Sequence, residues 1–428
     1  MKISPSRVAA YEVLRKIETE EAFSANLLPE YEANLTVRDA ALTHELVLGV
    51  LRRQIYLDRH IDAHARSKKL DIEVRIAMRL GVYQLYFLDR VPVHSAINES
   101  VELVKYARKR SATGLVNAAL RSAARTKHVL TPEDGVDQLI YDTSHPSWLL
   151  EKWIGDIGLD AASELAKANN RVLSAAFRVT TRGLREAIDL SGYRQSDRTD
   201  GCLFAERFDD NLHRMAADGF IYFQDEGSQM IANAIDIRPG DRFLDVCASP
   251  GGKASSVAAR VPGASIFAGD VTANRVATLK SIVHSQDAAV TILRHDGEGT
   301  LPFEDASFDF VLVDAPCSGT GTIMHNPEIR YRVGPDDLIR FPAKQLQILE
   351  SCARLVRPGG RLMYTTCSLE PEENEAVIER FLLLRGRNEF RLKRPTVPDE
   401  FITVGGTARM WPQLHEVDGF FMAVMENR

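Results

Sequence analysis

The sequence predicts a multidomain fold with three parts: an N-terminal all-α bundle, a small α+β subdomain and a C-terminal α/β sheet. Apolar residues recur every three or four positions through the first 130 residues, which is typical of packed helices. Short β-like runs follow in 171–230, and from Ser228 onward strand-like and helical runs alternate. We therefore expect domains at residues 1–130, 131–230 and 231–428.

The bundle should contain at least five amphipathic helices, and a further helix should begin near Pro146 in HPSWLLEKWIG. The α+β part should place a helix at 184–190 among strands such as AAFRVTT, LFAERF and GFIYFQDEG. Turn-forming residues predict breaks at Pro29 and at residues 66–69, 91–92 and 131–137. The α/β strands should be FLDVCA, SIFAGDV, AVTILRHD, FDFVLVDAP, RLMYTTCS and FFMAVMEN.

Composition narrows the class of protein. The chain is 45% hydrophobic and 26% charged, and it contains no apolar run of membrane-spanning length or signal-peptide pattern. Five cysteines without paired spacing argue against a disulfide framework and favour a reducing cytoplasm. Residues 1–130 hold 21 Lys and Arg against 15 Asp and Glu, whereas the remainder holds 32 against 44. The basic part suits an RNA-binding appendage; a chance excess on a solvated surface is the alternative.

The first motif of the α/β part is LDVCASPGGK, in which a strand ends near Cys247 and a glycine turn opens a helix. Gly251 and Gly252 permit a ligand to approach the backbone, and the helix start favours negative charge. The motif lacks the G-x-G-x-x-G fingerprint, and it has Cys247 and Ala254 where a phosphate-binding loop needs Gly and Ser or Thr. The motif therefore indicates either a site for a ligand other than the common nucleotides or a structural turn that binds no ligand.

Acidic residues end three further strands: Asp270 in AGDV, Asp296 in LRHDG and Asp314 in VLVDAP. Asp270 is suited to bind ribose hydroxyls, since it lies about 20 residues after the glycine turn. Asp296 could face an adenine edge, although an ordinary turn aspartate would look the same. Three acidic strand ends beside one glycine turn predict a ligand site more strongly than any one of them.

Cys317 and Cys367 follow two predicted strands, in DAPCSGTGT and TTCSLEPEENE. A single free cysteine is most often a buried apolar residue, but both lie among turn-forming polar residues, which suggests paired thiol chemistry. Zinc is disfavoured because neither has a second Cys or His at ligand spacing, so no metal is expected. Spacing alone does not decide which cysteine is the nucleophile.

Taken together, CASPGGK, DAPCSGTGT and TTCSLEPEENE resemble the cofactor loop and the two cysteine motifs of the Sun family of RNA cytosine-5 methyltransferases. The catalytic part would then be a Rossmann-like domain that uses S-adenosyl-L-methionine. The helical part is similar to a NusB-like RNA-binding domain in RDAALTHELVLGVLR, VPVHSAINESVELVK and GLVNAALR. The segment after the first cysteine motif keeps positive charge at Arg330 and Arg332.

The resemblance implies a role for each motif residue. Cys367 would be the nucleophile, Cys317 would assist product release, and Asp314 would contact the cytosine ring. Asp270 would hold the ribose and Asp296 would lie beside the adenine. The loop around the methionine part of the cofactor would comprise Cys247, Ala248, Ser249, Pro250, Gly251, Gly252 and Lys253, with Asp314 nearby.

The substrate implied by the resemblance is RNA, with small-subunit (16S) ribosomal RNA favoured by the NusB-like part. A transfer RNA methyltransferase and a non-catalytic RNA-binding factor are the alternatives. A DNA cytosine-5 methyltransferase is disfavoured, because such enzymes use the cysteine of the Pro-Cys motif and lack a counterpart of Cys367. No membrane partner is expected, and the oligomeric state is open, with a monomer compatible.

Overall fold

The computed structural model describes residues 3–20, 22–65, 69–126, 132–186, 188–206, 209–385 and 389–428. The chain divides into two compact units, Met1–Asn170 with Ile323–Arg332, and Arg171–Thr322 with Val333–Arg428. The helices between Gly135 and Ala168 thus belong with the N-terminal bundle, and the strands of 171–230 belong with the α/β sheet. The division into three domains at residues 130 and 230 stays a prediction.

The first unit is built from amphipathic helices, as predicted. They are α1 (Pro5–Thr19), α2 (Ser24–Glu32), α3 (Val37–Arg52), α4 (Gln54–Ala65), α5 (Ile72–Phe87), α6 (Val93–Tyr106), α7 (Thr113–Arg125), α8 (Gly135–Thr143), α9 (Ser147–Ile157) and α10 (Leu159–Ala168). Leu46, Val50, Leu57 and Ile61 line one face of α3 and α4 and are fully buried in the bundle core. Burying this apolar stripe stabilises the helices more than their intrinsic propensity does.

The second unit contains two sheets and most of the remaining helices. Its strands are β1 (Ala175–Val179), β2 (Arg194–Gln195), β3 (Cys202–Ala205), β4 (Ile221–Phe223), β5 (Arg242–Asp245), β6 (Ser265–Asp270), β7 (Thr291–Arg294), β8 (Phe308–Asp314), β9 (Val356–Thr366), β10 (Phe390–Lys393), β11 (Ala408–Met410) and β12 (Phe420–Asn427). The helices are α11 (Asp210–Ala217), α12 (Glu226–Asn233), α13 (Gly252–Arg260), α14 (Ala273–Ser285), α16 (Asp337–Ala353), α17 (Glu375–Arg385) and α18 (Pro412–His415); α15 (Ile329–Arg332) belongs to the first unit.

The larger sheet has the order β10-β12-β9-β8-β5-β6-β7, with β11 paired to β12. Strands β5 to β9 are mutually parallel, and β12 runs antiparallel to β9 and β10. Phe243 and Leu244 are adjacent in β5, both fully buried, and each packs into a different core cluster. Both faces of the sheet are therefore covered, which confirms the predicted α/β Rossmann-like class.

The smaller sheet has the antiparallel order β2-β3-β1-β4, so the α+β subdomain is also confirmed. Its predicted helix at 184–190 is wrong for the described residues of that range, which form only a short 3₁₀ turn over Gly183–Arg185. Leu184 is 65% exposed there, so it adds no buried contact that would hold a longer helix. Helix α11 and strands β2, β10 and β11 were not predicted from the sequence.

The predicted helix breaks have mixed outcomes. The break at 91–92 is confirmed, because α5 ends at Phe87 and Pro92 caps α6. The break at Pro29 is wrong: Pro29 lies inside the nine-residue α2, where it removes a single backbone bond and its carbonyl still accepts from Ala33 N. Residues 66–68 and Thr131 lie outside the described residues, and α8 already begins at Gly135.

The segment Ile323–Arg332 leaves the second unit six residues after Cys317 and belongs to the first. Arg330 is fully buried there and donates to the carbonyl oxygens of Thr143, Asn169 and Pro327 and to Asn170 Oδ1. The charge of Arg330 is thus used to bind three backbone carbonyls and one side-chain amide oxygen. None of the helices in the described ranges combines the length and apolarity required to cross a membrane.

Candidate active site

The strand order reverses between β5 and β8, because β6 and β7 extend the sheet on one side of β5 and β8 and β9 on the other. Ligands of open α/β sheets bind in the crevice at such a point, outside the carboxyl ends of the strands. Asp270 and Asp314 are the last residues of β6 and β8, and Cys367 directly follows β9. Since these strands are parallel, all three residues lie at one edge of the sheet, as the motifs predicted.

The two motif cysteines are in direct contact at this edge. The Sγ atoms of Cys317 and Cys367 are 3.2 Å apart, and both residues are half-buried. The hydrogen bond with the Cys367 thiol and burial both raise the pKa of Cys317 well above its ordinary value. Because only a thiolate is a strong nucleophile, Cys317 is the less suited of the two to attack first.

An ion pair between Lys253 and Asp314 lies at the point where the strand order reverses. Lys253 Nζ donates to Asp314 Oδ2 at 2.7 Å, and Thr365 Oγ1 donates to Asp314 Oδ1 at 2.8 Å. Burial disfavours the ammonium group, but Asp314 and then Asp245 and Cys367 outweigh it, so the pKa of Lys253 is raised. Lys253 is therefore positively charged, and its charge interacts favourably with the Cys367 thiolate.

The glycine turn links β5 to α13. Gly251 adopts φ +117°, a conformation that favours glycine, and caps α13. Ala248 N donates to Gly269 O at 2.9 Å and Ser249 N donates to Asp270 Oδ2 at 3.2 Å, which fixes the loop against β6. These two hydrogen bonds thus tie the loop to the end of β6.

A buried arginine of the smaller sheet supports the same turn. Arg178 in β1 donates to Gly252 O at 3.0 Å, to Ser255 Oγ at 2.8 Å and to Gln286 Oε1 at 3.0 Å. Burial lowers the pKa of Arg178 to about 10. The α+β subdomain therefore contributes to the shape of the glycine turn, a connection the sequence did not indicate.

The remaining predicted cofactor residues differ in environment. Asp270 is 2% exposed and also accepts from Val271 N at 2.8 Å and Arg275 Nη1 at 3.3 Å. Asp296 is exposed after β7, and its Oδ1 accepts from Glu298 N at 3.0 Å in a turn. Cys247 is half-buried, and desolvation raises the pKa of its thiol well above the ordinary value. Asp296 follows β7, the strand farthest in the sheet order from β8 and β9, which precede the two cysteines.

Sequence reasoning missed two buried carboxyl groups. Asp245, the last residue of β5, is 1% exposed, and its Oδ1 has no hydrogen-bond partner among the described residues. Burial, together with the nearby Asp314 carboxylate, raises the pKa of Asp245 to about 8. The Asp inside the otherwise apolar run FLDV could have indicated this buried carboxyl group. Glu373 is fully buried between the cysteine loops, but in EPEENE it looked like part of a solvated acidic run.

Comparisons with known proteins agree with this arrangement. Residues 232–426 match the family model described as 16S rRNA methyltransferase RsmB/F, and residues 4–125 match that of the NusB family. A probable ribosomal RNA small subunit methyltransferase B of Bacillus subtilis (strain 168) is 30% identical over 465 residues, covering 100% of both chains. Ribosomal RNA small subunit methyltransferase B of Pseudomonas syringae pv. tomato is 32% identical, covering 88% of this chain and 86% of that protein.

A solved structure supports the fold of the catalytic part. The crystal structure of a methyltransferase homolog protein from Pyrococcus horikoshii has a TM-score of 0.56 and 25% identity, and covers 70% of this chain and 100% of that one. Sheet, glycine turn and paired thiols define an RNA methyltransferase that depends on S-adenosyl-L-methionine. The chain belongs to the RsmB/F family of 16S rRNA methyltransferases, and the predicted resemblance to Sun-family enzymes with a NusB-like part is confirmed.

Proposed function

We propose that this protein methylates C5 of a cytosine in 16S ribosomal RNA through a covalent bond between Cys367 and C6 of the base. The observation that carries the proposal is the pair of thiols, with Sγ atoms 3.2 Å apart, beside the Lys253–Asp314 ion pair. C5 of cytosine is a poor nucleophile. Addition of a thiolate at C6 makes the ring electron-rich at C5, so that C5 can attack an electrophilic methyl group.

The chain's own side chains suit the separate steps. Cys367 Sγ, as the thiolate, forms the bond to C6, and the nearby Lys253 ammonium stabilises that anion. Asp314 contacts the cytosine ring and stabilises positive charge on the activated base. After C5 has gained the methyl group, a base takes the C5 proton, the C5–H electrons form the C5–C6 double bond, and the C6–Sγ bond breaks with its electrons returning to Cys367. Cys317, 3.2 Å away, assists this release.

The cofactor site proposed here comprises Cys247, Ala248, Ser249, Pro250, Gly251, Gly252, Lys253, Asp270, Asp296 and Asp314. S-adenosyl-L-methionine supplies, when bound, a methyl group on a positively charged sulfonium. The site suits that charge, because it brings together the carboxylates of Asp314 and Asp270, and because the buried Asp245 beside them has an Oδ1 without a hydrogen-bond partner in the described structure. The turn at Gly251 leaves the start of α13 available to a carboxylate.

The substrate is proposed from the relatives, whose names specify small-subunit ribosomal RNA. The basic balance of residues 1–130, which match the NusB family over 4–125, supports RNA contact by the first unit. The target base must be unpaired or turned out of its stack to reach a thiol at the sheet edge. Transfer RNA is the competing substrate that the experiment must distinguish.

The proposal is tested by trapping with 16S rRNA fragments that contain 5-fluorocytidine, which retains fluorine at C5 and blocks release of the enzyme. Wild type and Cys317→Ala should form a denaturation-resistant protein–RNA adduct, and Cys367→Ala should form none. Cys202→Ala, which changes a buried thiol of β3 outside the site, is the matched control and should trap RNA as wild type does. With ordinary RNA, Cys317→Ala alone should accumulate the adduct.

An adduct in Cys367→Ala but not in Cys317→Ala would reverse the assigned roles. Bisulfite sequencing of 16S rRNA and transfer RNA, with and without the enzyme, identifies the substrate. A new 5-methylcytosine in 16S rRNA supports the proposal, whereas one confined to transfer RNA refutes the substrate assignment. No adduct and no methylation in wild type would refute the reaction itself.

A further inference from the structure

Glu373 is a fully buried glutamate that contacts both cysteine loops. Ser318, the residue after Cys317, donates its backbone N–H to Glu373 Oε2 at 2.9 Å and its hydroxyl to Oε1. Ser368, the residue after Cys367, donates its hydroxyl to Oε1 at 2.6 Å. One carboxylate thus binds the neighbour of each thiol, and the two serine hydroxyls are also 3.0 Å from each other.

The set of donors around Glu373 suits a carboxylate. Gln345 Nε2 of α16 supplies a fourth hydrogen bond, to Oε2 at 2.9 Å. All four contacts bring a hydrogen toward the glutamate, and an ionised carboxylate is the side chain that only accepts. A glutamine would turn its own N–H₂ toward one pair of these donors. In the described part of the chain, no Lys, Arg or His forms an ion pair with Glu373.

A buried carboxylate without a cation is expensive, on the order of several kcal/mol even when its hydrogen bonds are satisfied. An uncharged pair of residues could hold two loops together at lower cost. The charge therefore points to a purpose beyond packing. That charge acts on the Cys317 thiol, which lies one residue from Ser318 in the same loop, and on the buried phenol of Tyr364.

We propose that Glu373 is a positioning residue for methyl transfer: its carboxylate fixes the loops of Cys317 and Cys367 in register and keeps their two thiols in separate roles. The inference rests on the proposed function, because those roles are the ones assigned above. Glu373 touches neither sulfur through a hydrogen bond in the described structure, so it acts through Ser318, Ser368 and its charge.

The two thiols have different charged neighbours. The hydrogen bond with Cys367, burial and then the charges of Cys367 and Glu373 all raise the pKa of Cys317. Lys253, in contrast, interacts favourably with Cys367. Negative charge on one side of the pair and positive charge on the other direct the thiolate to Cys367 and leave the proton on Cys317. The side chains thus distinguish two cysteines that the sequence motifs presented as equivalents.

The test compares Glu373→Gln and Glu373→Asp with Glu372→Gln, which removes a charge from the adjacent, exposed glutamate. Alkylation by iodoacetamide is followed separately at Cys317 and Cys367 by peptide mass spectrometry across a pH series. Glu373→Gln should make Cys317 react at lower pH than in wild type, because the charge that disfavours its thiolate is gone. Glu373→Asp keeps the charge, so its Cys317 profile should resemble that of wild type, as should that of Glu372→Gln.

Turnover gives the second readout. Glu373→Gln and Glu373→Asp should both lower kcat for RNA methylation about a hundredfold, the size of effect expected when reacting groups are displaced by about 1 Å. KM for S-adenosyl-L-methionine should stay within about twofold of wild type, since Glu373 lies at the thiols and a displacement confined to the reacting groups leaves cofactor binding intact. Glu372→Gln should leave both parameters unchanged.

A Glu373→Gln variant with the wild-type kcat and the wild-type alkylation profile would overturn the inference. If Glu373→Gln does not fold, Ser368→Ala replaces it: losing one donor on the Cys367 side should lower kcat about tenfold, and an unchanged kcat would overturn the inference. The alkylation measurement needs no RNA. If wild type forms no adduct, the proposed function fails, while the effect of Glu373 on Cys317 is still measured independently.

Discussion

Asp245 is a carboxyl group that the fold buries completely at the end of β5, and its protonation should make the stability of the second unit depend on pH. Its ordinary pKa of 3.8 is raised to about 8 by burial, reinforced by the Asp314 carboxylate. Between these two pH values the folded state keeps a proton that the unfolded chain releases. Stability from this group is therefore complete below about pH 4 and is lost as pH rises to about 8.

The size of the effect follows from linkage. One extra proton in the folded state changes the free energy of unfolding by about 1.4 kcal/mol per pH unit. Raising the pH from about 5 to about 7 should thus destabilise wild type by about 3 kcal/mol relative to Asp245→Asn, which cannot titrate. Other ionisable groups are common to both chains, so their contributions cancel in the comparison.

Urea denaturation at several pH values measures the difference. The chain has three tryptophans, and a background with Trp148→Phe and Trp153→Phe leaves Trp411 to report on the second unit alone. Asp200→Asn, at an exposed position of the same unit, is the control and should follow the pH dependence of its parent. If wild type and Asp245→Asn lose stability in parallel between about pH 5 and 7, Asp245 does not hold a proton in the folded state and the reasoning is refuted.

Three further predictions follow from particular contacts. Gly321→Ala should cost about 1–3 kcal/mol of stability and lower methylation, since its Cβ would overlap the carbonyl oxygen of Gly419, whereas Gly334→Ala meets open space and should be neutral in thermal denaturation. Lys253→Met should lower kcat about a hundredfold or more, because it leaves Asp314 without its cation. Lys280→Met, at an exposed position of α14, is the control and should keep the wild-type kcat. Equal kcat values for the two variants would refute the role of the Lys253–Asp314 ion pair. Arg330→Lys should destabilise the first unit by about 3 kcal/mol in chemical denaturation, because an ammonium cannot reach all four oxygens that the guanidinium binds.

The sequence identified the fold class and most of the candidate site for one physical reason. Parallel strands bring their carboxyl ends to the same edge of a sheet, so residues that follow different strands become neighbours. Asp270, Asp314 and Cys367 could therefore be assembled from the positions of their motifs alone. The helices of the bundle were equally readable, because each buries one stripe of regularly spaced apolar residues.

Local patterns failed where long-range contacts decide the outcome. The apolar spacing of α3 continues into α4, and only the structure shows that the chain breaks at Arg53. The sequence shows only a positive charge at Arg330, and the structure shows that it is buried in the bundle by contacts with residues about 160 to 190 positions earlier in the chain. Residues 184–190 have helical spacing, yet no partner surface covers Leu184.

By itself, then, the sequence predicted the fold class and the positions of the two cysteines at strand ends, whereas the class of protein and its cofactor came from the resemblance that these short motifs carry. Only the tertiary structure decided what surrounds each cysteine. Glu373 reaches Ser318 across 55 positions, and Lys253 reaches Asp314 across 61. Folding brings the Glu373 carboxylate near Cys317 and the Lys253 ammonium near Cys367, and no local pattern encodes that difference in charge.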